Sequence, residues 1–154
     1  LLSRYHQQRR NITDRLSTAN ALISDYTFEK DALFARLNLK GDELEMYYTV
    51  QEALAEKISP PDLVVYLRAS TDTLMHRIAM RDRPFERAME RDYIHELNET
   101  YDDFFSNGSH KTRILTIETD ELDFVGRPAD LELITGKIRE SLSSPPIQPP
   151  LPIV

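Results

Sequence analysis

Pro60-Pro61-Asp62-Leu63-Val64-Val65-Tyr66-Leu67 is the stretch on which the fold turns. The proline pair ends whatever precedes it, and a short run without polar alternation follows. Such a run suits a parallel strand covered on both faces. Upstream, residues 44–58 keep a helical rhythm behind Gly41-Asp42, with Asp42 as the expected N-cap. Before that, residues 25–39 place Leu33, Phe34 and Leu37 on one helical face, and Ala21-Leu22-Ile23 reads as a short buried strand ending at Ser24-Asp25. Residues 1–18 are polar and helical, with the helix end and a loop over residues 11–18. Downstream, Ser70-Thr71-Asp72 caps a helix to about Arg81, residues 82–88 form a charged break around Pro84, and residues 90–105 are helical, closed by Asn107-Gly108. Arg113-Ile114-Leu115-Thr116-Ile117 is a third strand, followed by an acidic loop at 118–123 and a helix over 129–142. Strands alternating with helices predict an α/β fold with a parallel sheet.

Composition narrows the function. The 154 residues suffice for one domain with a core. Apolar residues at 40% and charged residues at 29% are a globular balance. A net charge of −7 argues against polymeric nucleic acid as a partner. No apolar run approaches the ~20 residues of a membrane span. The absence of cysteine removes thiolate sites and disulfides and fits a cytoplasmic setting. Residues 143–154 hold five of the nine prolines and read as a disordered tail. The beginning, Leu1-Leu2-Ser3-Arg4, reads as the middle of a helix, and three strands are few for this fold class. Both observations predict a fragment, incomplete at its N-terminus.

The chemistry concentrates in Arg77-Ile78-Ala79-Met80-Arg81-Asp82-Arg83-Pro84-Phe85-Glu86-Arg87. Arg77 and Arg81 share a helix face, and Arg83 follows just beyond the helix end. Three converging guanidinium groups suit phosphate oxygens, which their planar forks grip two bonds at a time. The plainer reading of the spacing is a solvated face on which Asp72, Asp82, Glu86 and Glu90 pair off the arginines. Pro84 and Phe85 favour a shaped loop. The four histidines, His6, His76, His95 and His110, lack metal-ligand spacing, so no metal site is expected from them.

Pro61 to Ser70, then Leu74-Met75-His76-Arg77-Ile78, Arg81-Asp82-Arg83-Pro84-Phe85-Glu86 and Tyr101-Asp102-Asp103-Phe104-Phe105 together resemble the C-terminal two-thirds of a deoxynucleoside kinase. The resemblance is to the bacterial deoxyadenosine/deoxyguanosine kinase branch, and Ser24 to Ala35 shares it. It implies a three-layer, parallel-sheet P-loop kinase fold over residues 1–142. It also implies transfer of the ATP γ-phosphoryl, with Mg2+, to the 5′-hydroxyl of a deoxynucleoside, a purine one in this branch. Arg77, Arg81 and Arg83 would then contact donor phosphates and stabilise the transferring group, and Glu86 would accept from the deoxyribose 3′-hydroxyl. An ion pair with Arg83 or Arg87 is the alternative for Glu86. Arg4 falls where the family reaches the base, or it is simply solvated. Asp120-Glu121-Leu122-Asp123-Phe124 matches the segment that wraps the donor base, with Phe124 against the ring, or forms an acidic linker into the last helix. Asp25 falls where the family carries arginine, so only a substrate-orienting or magnesium-assisting role passes to it. Family members dimerise, and the 44–58 helix is the candidate surface for a homodimer of the full-length protein. Tyr47-Tyr48 on that helix reads as core or dimer surface.

The phosphate loop G-x-x-x-x-G-K-[ST] does not occur in these residues; Gly136-Lys137 is followed by Ile138 and preceded by Leu131 where the first glycine belongs. A fragment of this kind is expected to be inactive alone and poorly soluble, since a lost strand bares sheet edges. Two other functions stay open. One is a thymidylate-kinase-like monophosphate kinase, against which Asp25 speaks. The other is a non-catalytic remnant docking through its Pro-Pro-Ile-Gln-Pro-Pro tail in the polyproline II manner.

Overall fold

A computed structural model of the chain describes residues 5, 10, 12, 14–55, 58–107 and 112–143. The base-side Arg4, the glycine of Asn107-Gly108 and residues 144–154 of the proline-rich tail lie outside the described residues. The chain divides into two compact units, Leu1–Ser59 and Pro60–Val154.

In the first unit, residues 14–16 are helical, and the Arg15 carbonyl takes the Thr18 and Ala19 amides at 3.2 and 2.9 Å as the chain turns out. Helix α1 spans Glu29–Asn38 and α2 spans Asp42–Ala55. Among the described residues of this unit Tyr5, Phe28, Leu33 and Ala35 are buried, with the Tyr5 and Phe28 rings edge to face at 6.2 Å. Asp42 is the first residue of α2 and not its N-cap. The capping carbonyl belongs to Gly41, which accepts from the Leu44 and Glu45 amides. Gly41 sits at φ 54°, a conformation natural to glycine.

The expected strand at Ala21-Leu22-Ile23 is not formed. Ile23 is 97% exposed, and no described residue pairs with this backbone. Ser24 bends the chain instead, its hydroxyl donating to the Tyr26 carbonyl at 2.9 Å and accepting from the Tyr26 amide at 3.2 Å. A hydroxyl closing on the backbone two residues away competes directly with extension. Three apolar residues without a ladder partner cannot outweigh it.

In the second unit the elements fall where their patterns place them. Strand β1 (Leu63–Arg68), helix α3 (Thr71–Arg81), helix α4 (Arg91–Ser106), strand β2 (Arg113–Glu118) and helix α5 (Pro128–Ser143) follow in order. The described sheet has two parallel strands, in register from Leu63↔Arg113 to Arg68↔Glu118, where three had been expected. Period-two alternation gives each face a partner. On one face Tyr66 stacks on Phe105 of α4 at 4.7 Å, and Arg68 reaches Asp102 of the same helix. On the other face Arg113 donates to the Ser141 carbonyl of α5, and α5 packs along both strands. Helix, sheet and helix therefore form three layers within this unit. Its apolar core is Ala69, Ile94, Ile117 and Ile134.

Candidate active site

Helix α3 carries the arginine motif, and both of its ends are specified locally. Ser70 caps the start by accepting from the Thr73 amide at 3.3 Å. Asp82 ends it in the left-handed conformation, φ 46° and ψ 43°, with its amide returned to the Ile78 carbonyl. The chain then doubles back through turns, bringing Glu86 under the helix end. Glu86 is 7% exposed. Arg81 Nε donates to Glu86 Oε2 at 3.0 Å, and Nη2 lies 2.8 Å from the same oxygen. Arg83 Nη1 stands 3.6 Å from Oε1. Both arginines remain about half exposed, and the Nη1 group of Arg81 has no partner among the described residues. The arrangement is a buried carboxylate holding two guanidinium groups at the edge of solvent. Arg87, the other partner considered for Glu86, pairs with Asp82 at 2.7 Å.

Arg77, one turn earlier on α3, is engaged differently. Its Nη1 donates to Thr119 Oγ1 at 3.0 Å, and its Nη2 donates to the carbonyls of Thr119 and Leu122. The guanidinium carbon lies 5.7 Å from the centroid of the Phe124 ring. Through these bonds Arg77 ties α3 to the 119–124 loop.

That loop is braced throughout. Asp120 Oδ1 accepts from the Ser70 amide at 2.8 Å, and this bond above all holds the Asp120 carboxyl below the usual range. Asp123 Oδ1 takes the Gly126 amide at 2.8 Å, while the Asp123 amide donates to Asp130 of α5 at 2.6 Å. A Cβ added at Gly126 would lie 2.5 Å from Asp123 Oδ2, so a larger residue there makes this carboxylate move.

A cleft of about 170 Å3 opens at the carboxyl ends of β1 and β2, between Arg68, Ser70, Asn98, Asp102, Glu118 and Asp120. Its walls satisfy one another. Arg68 Nε and Nη2 each donate to an Asp102 oxygen at 2.8 Å, and its Nη1 reaches Glu118 at 3.1 Å. The Tyr66 hydroxyl donates to Asp102 Oδ1 at 2.7 Å. Arg68 thus holds the Asp102 carboxyl below its ordinary range, while burial, then Asp102, push the Tyr66 phenol well up. Among the described residues no group of three His, Asp or Glu side chains converges to hold a metal ion.

A family model described as "Deoxynucleoside kinase" matches residues 1–143. The deoxyguanosine kinase of Bacillus subtilis (strain 168) is 31% identical over 143 residues, which cover 91% of this chain and 69% of that protein. The chain belongs to the deoxynucleoside kinase family. As a deoxynucleoside kinase it is a phosphotransferase, and the thymidylate-kinase-like and non-catalytic alternatives are not favoured. A deoxyadenosine kinase from M. mycoides, solved with the products dCMP and a flexible dCDP, superposes with a TM-score of 0.74 at 22% identity, covering 90% of this chain and 71% of that one. The same kinase with bound dATP gives 0.71 at 25% identity, covering 88% and 70%. These likenesses bear out a P-loop kinase fold with a parallel sheet. The kinase-family chain spans about two thirds of the length of these relatives.

Of the residues singled out in the sequence, two groups are assembled in the second unit of this deoxynucleoside kinase. Arg81, Arg83 and Glu86 form one, and Arg77, Leu122 and Phe124 the other, with Asp123 bracing the loop. Asp25 lies in the first unit, exposed, its carbonyl taking Lys30 Nζ at 3.4 Å. Thr119 is not among the residues singled out in the sequence, and Asp120 enters there only as part of the donor-base segment. A Thr-Asp pair at the carboxyl end of a parallel strand, where open α/β sheets place ligands, was the signal available.

Proposed function

We propose that this chain supplies the lid and donor-base side of an enzyme that moves the γ-phosphoryl group of ATP to the 5′-hydroxyl of a purine deoxynucleoside. The observation that carries this reading is the Arg81–Glu86 pair at the end of α3. Phosphoryl transfer is catalysed mainly by positioning and by charge placed around the equatorial oxygens. Arg81 points two donors at Glu86 and keeps Nη1 for the transferring group, and Arg83 stands beside it. Glu86 accepts from the deoxyribose 3′-hydroxyl, so one carboxylate ties the sugar to the guanidinium groups that meet the phosphates. Phe124 packs on the donor base, with Leu122 and Asp123 at its edge and Arg77 holding the loop.

Arg4 toward the acceptor base keeps the role that the family resemblance implies, and Asp25, standing where the family carries arginine, is assigned only to orienting the substrate. Magnesium takes one or two carboxylates together with phosphate oxygens and waters. It enters with the donor nucleotide, and no ligand for it is assigned to this chain. The kinase relatives named for deoxyguanosine and deoxyadenosine support a purine acceptor. Helix α2 has no buried residue and exposes Met46 and Tyr48, which makes it the candidate surface for a homodimer. The absence of cysteine supports a cytoplasmic setting.

The test is ADP release by the protein expressed from its full coding sequence. Magnesium-ATP is supplied with deoxyadenosine, deoxyguanosine, deoxycytidine and the matching monophosphates. Turnover is expected on a purine deoxynucleoside, falling about 10³-fold in Arg81→Ala, the loss typical of an arginine that stabilises transferring phosphate. Turnover on monophosphates alone, or an Arg81→Ala variant as fast as the parent, would refute the assignment.

A further inference from the structure

We infer that Thr119 is a positioning residue for the donor side of the reaction, locking the lid helix α3 to the loop that meets the donor base. This inference rests on the reading of 122–124 as the donor-base loop. Thr119 has no exposed surface, and each of its polar atoms is used. Its amide and its hydroxyl both donate to the Arg68 carbonyl at 2.8 Å, fixing the residue to the end of β1. The same hydroxyl oxygen accepts from Arg77 Nη1 at 3.0 Å, and the Thr119 carbonyl accepts from Arg77 Nη2. Arg77 then reaches on to the Leu122 carbonyl at 3.2 Å and lies against Phe124.

A hydroxyl is needed here because the position must donate in one direction and accept from the other. Valine would keep the volume and lose both bonds. Arg77 and Arg81 are four residues apart on α3, so they occupy one face a single turn apart. Fixing the rotation of α3 at Arg77 therefore also fixes where Arg81 presents its guanidinium. Asp120, holding the Ser70 amide and hydroxyl, pins the start of the same helix to the same loop. Thr119 in this way sets base loop and phosphate arginine together, while touching neither substrate.

The experiment compares Thr119→Val and Thr119→Ser with the parent, all expressed from the full coding sequence. It reads KM for ATP, KM for the deoxynucleoside, kcat, and hydrogen exchange of the 120–124 amides. The expectation is an ATP KM raised about tenfold in the valine variant, from a hydrogen bond to a charged group lost on a solvated loop. The acceptor KM should stay within about twofold, kcat should fall because Arg81 is held less well, exchange should quicken at 120–124, and serine should restore the parent values. An unchanged ATP KM overturns the inference. So does an equal loss on both substrates, or a serine variant that behaves as valine, since either marks a general scaffold residue. Where Thr119→Val does not fold, Arg77→Gln breaks the same bond from the other end and should give the same split. If the parent phosphorylates no deoxynucleoside, the kinase reading fails, and hydrogen exchange alone decides the coupling. Unchanged exchange in the valine variant would then reject it.

Discussion

Glu86 is an acidic side chain with almost no exposed surface, a position that carboxylates occupy only when paired. Its pairing explains why a charged stretch is a shaped loop. Arg81 and Arg83 reach inward to one carboxylate, while Arg87 turns outward to Asp82. The residue types and the i, i+4 spacing were legible in the sequence. Which acid pairs with which arginine was not, because that depends on the left-handed turn at Asp82. A second paired acid makes a pH prediction. Arg68, ahead of Tyr66, holds the Asp102 carboxyl down. A group depressed in the folded state adds stability above its unfolded pKa and loses it as pH falls through the folded one. Asp102→Asn should therefore lower unfolding free energy by about 1–2 kcal/mol at pH 7, allowing for partial exposure. The gap from the parent should close below about pH 4. Denaturant titrations at pH 7 and below pH 4 check this, and a gap independent of pH would contradict it.

At the scale of elements, the second unit shows how far pattern carries. Strands β1 and β2 and helices α3, α4 and α5 begin and end within a residue or two of where their apolar runs, caps and prolines put them. Each has a tertiary partner that agrees with its local preference. Ala21-Leu22-Ile23 had the apolar run without the partner, and Ser24 decided its conformation. The loop after β2 reads as an acidic stretch and, by resemblance, as the donor-base segment; how it is braced does not show in the sequence, because its order comes from distant residues: Ser70, Arg77 and Asp130. Gly126→Ala tests that order. Its new Cβ must displace the Asp123 carboxylate, which loosens the turn into α5. Weaker ATP binding is expected, about 3–10-fold as for loss of a single hydrogen bond, with a deoxynucleoside KM near that of the parent. Calorimetric titration of ATP measures the first and steady-state kinetics the second; equal ATP affinity would show the turn to be dispensable.

For the whole molecule, two compact units and a two-stranded sheet set the expectations. Among the described residues each strand has one ladder partner, and its other edge has none, the kind of edge along which chains join. Light scattering of this 154-residue chain should show particle size rising with concentration. A monodisperse solution across a hundredfold range would show that the edges are covered. The pairing itself has a kinetic consequence. Every rung joins residues fifty positions apart, from Leu63 with Arg113 to Arg68 with Glu118. Closing a loop of that length costs about 3.5 kcal/mol of chain entropy, and the whole of it falls on the first rung formed. The other five rungs close no new loop, so the ladder zips once it has been seeded. Helices α3 and α4 lie within the loop and, by forming on the microsecond scale, shorten the search. The slow event in folding is thus the meeting of two short strands, and substitutions that weaken their contact retard folding more than they hasten unfolding.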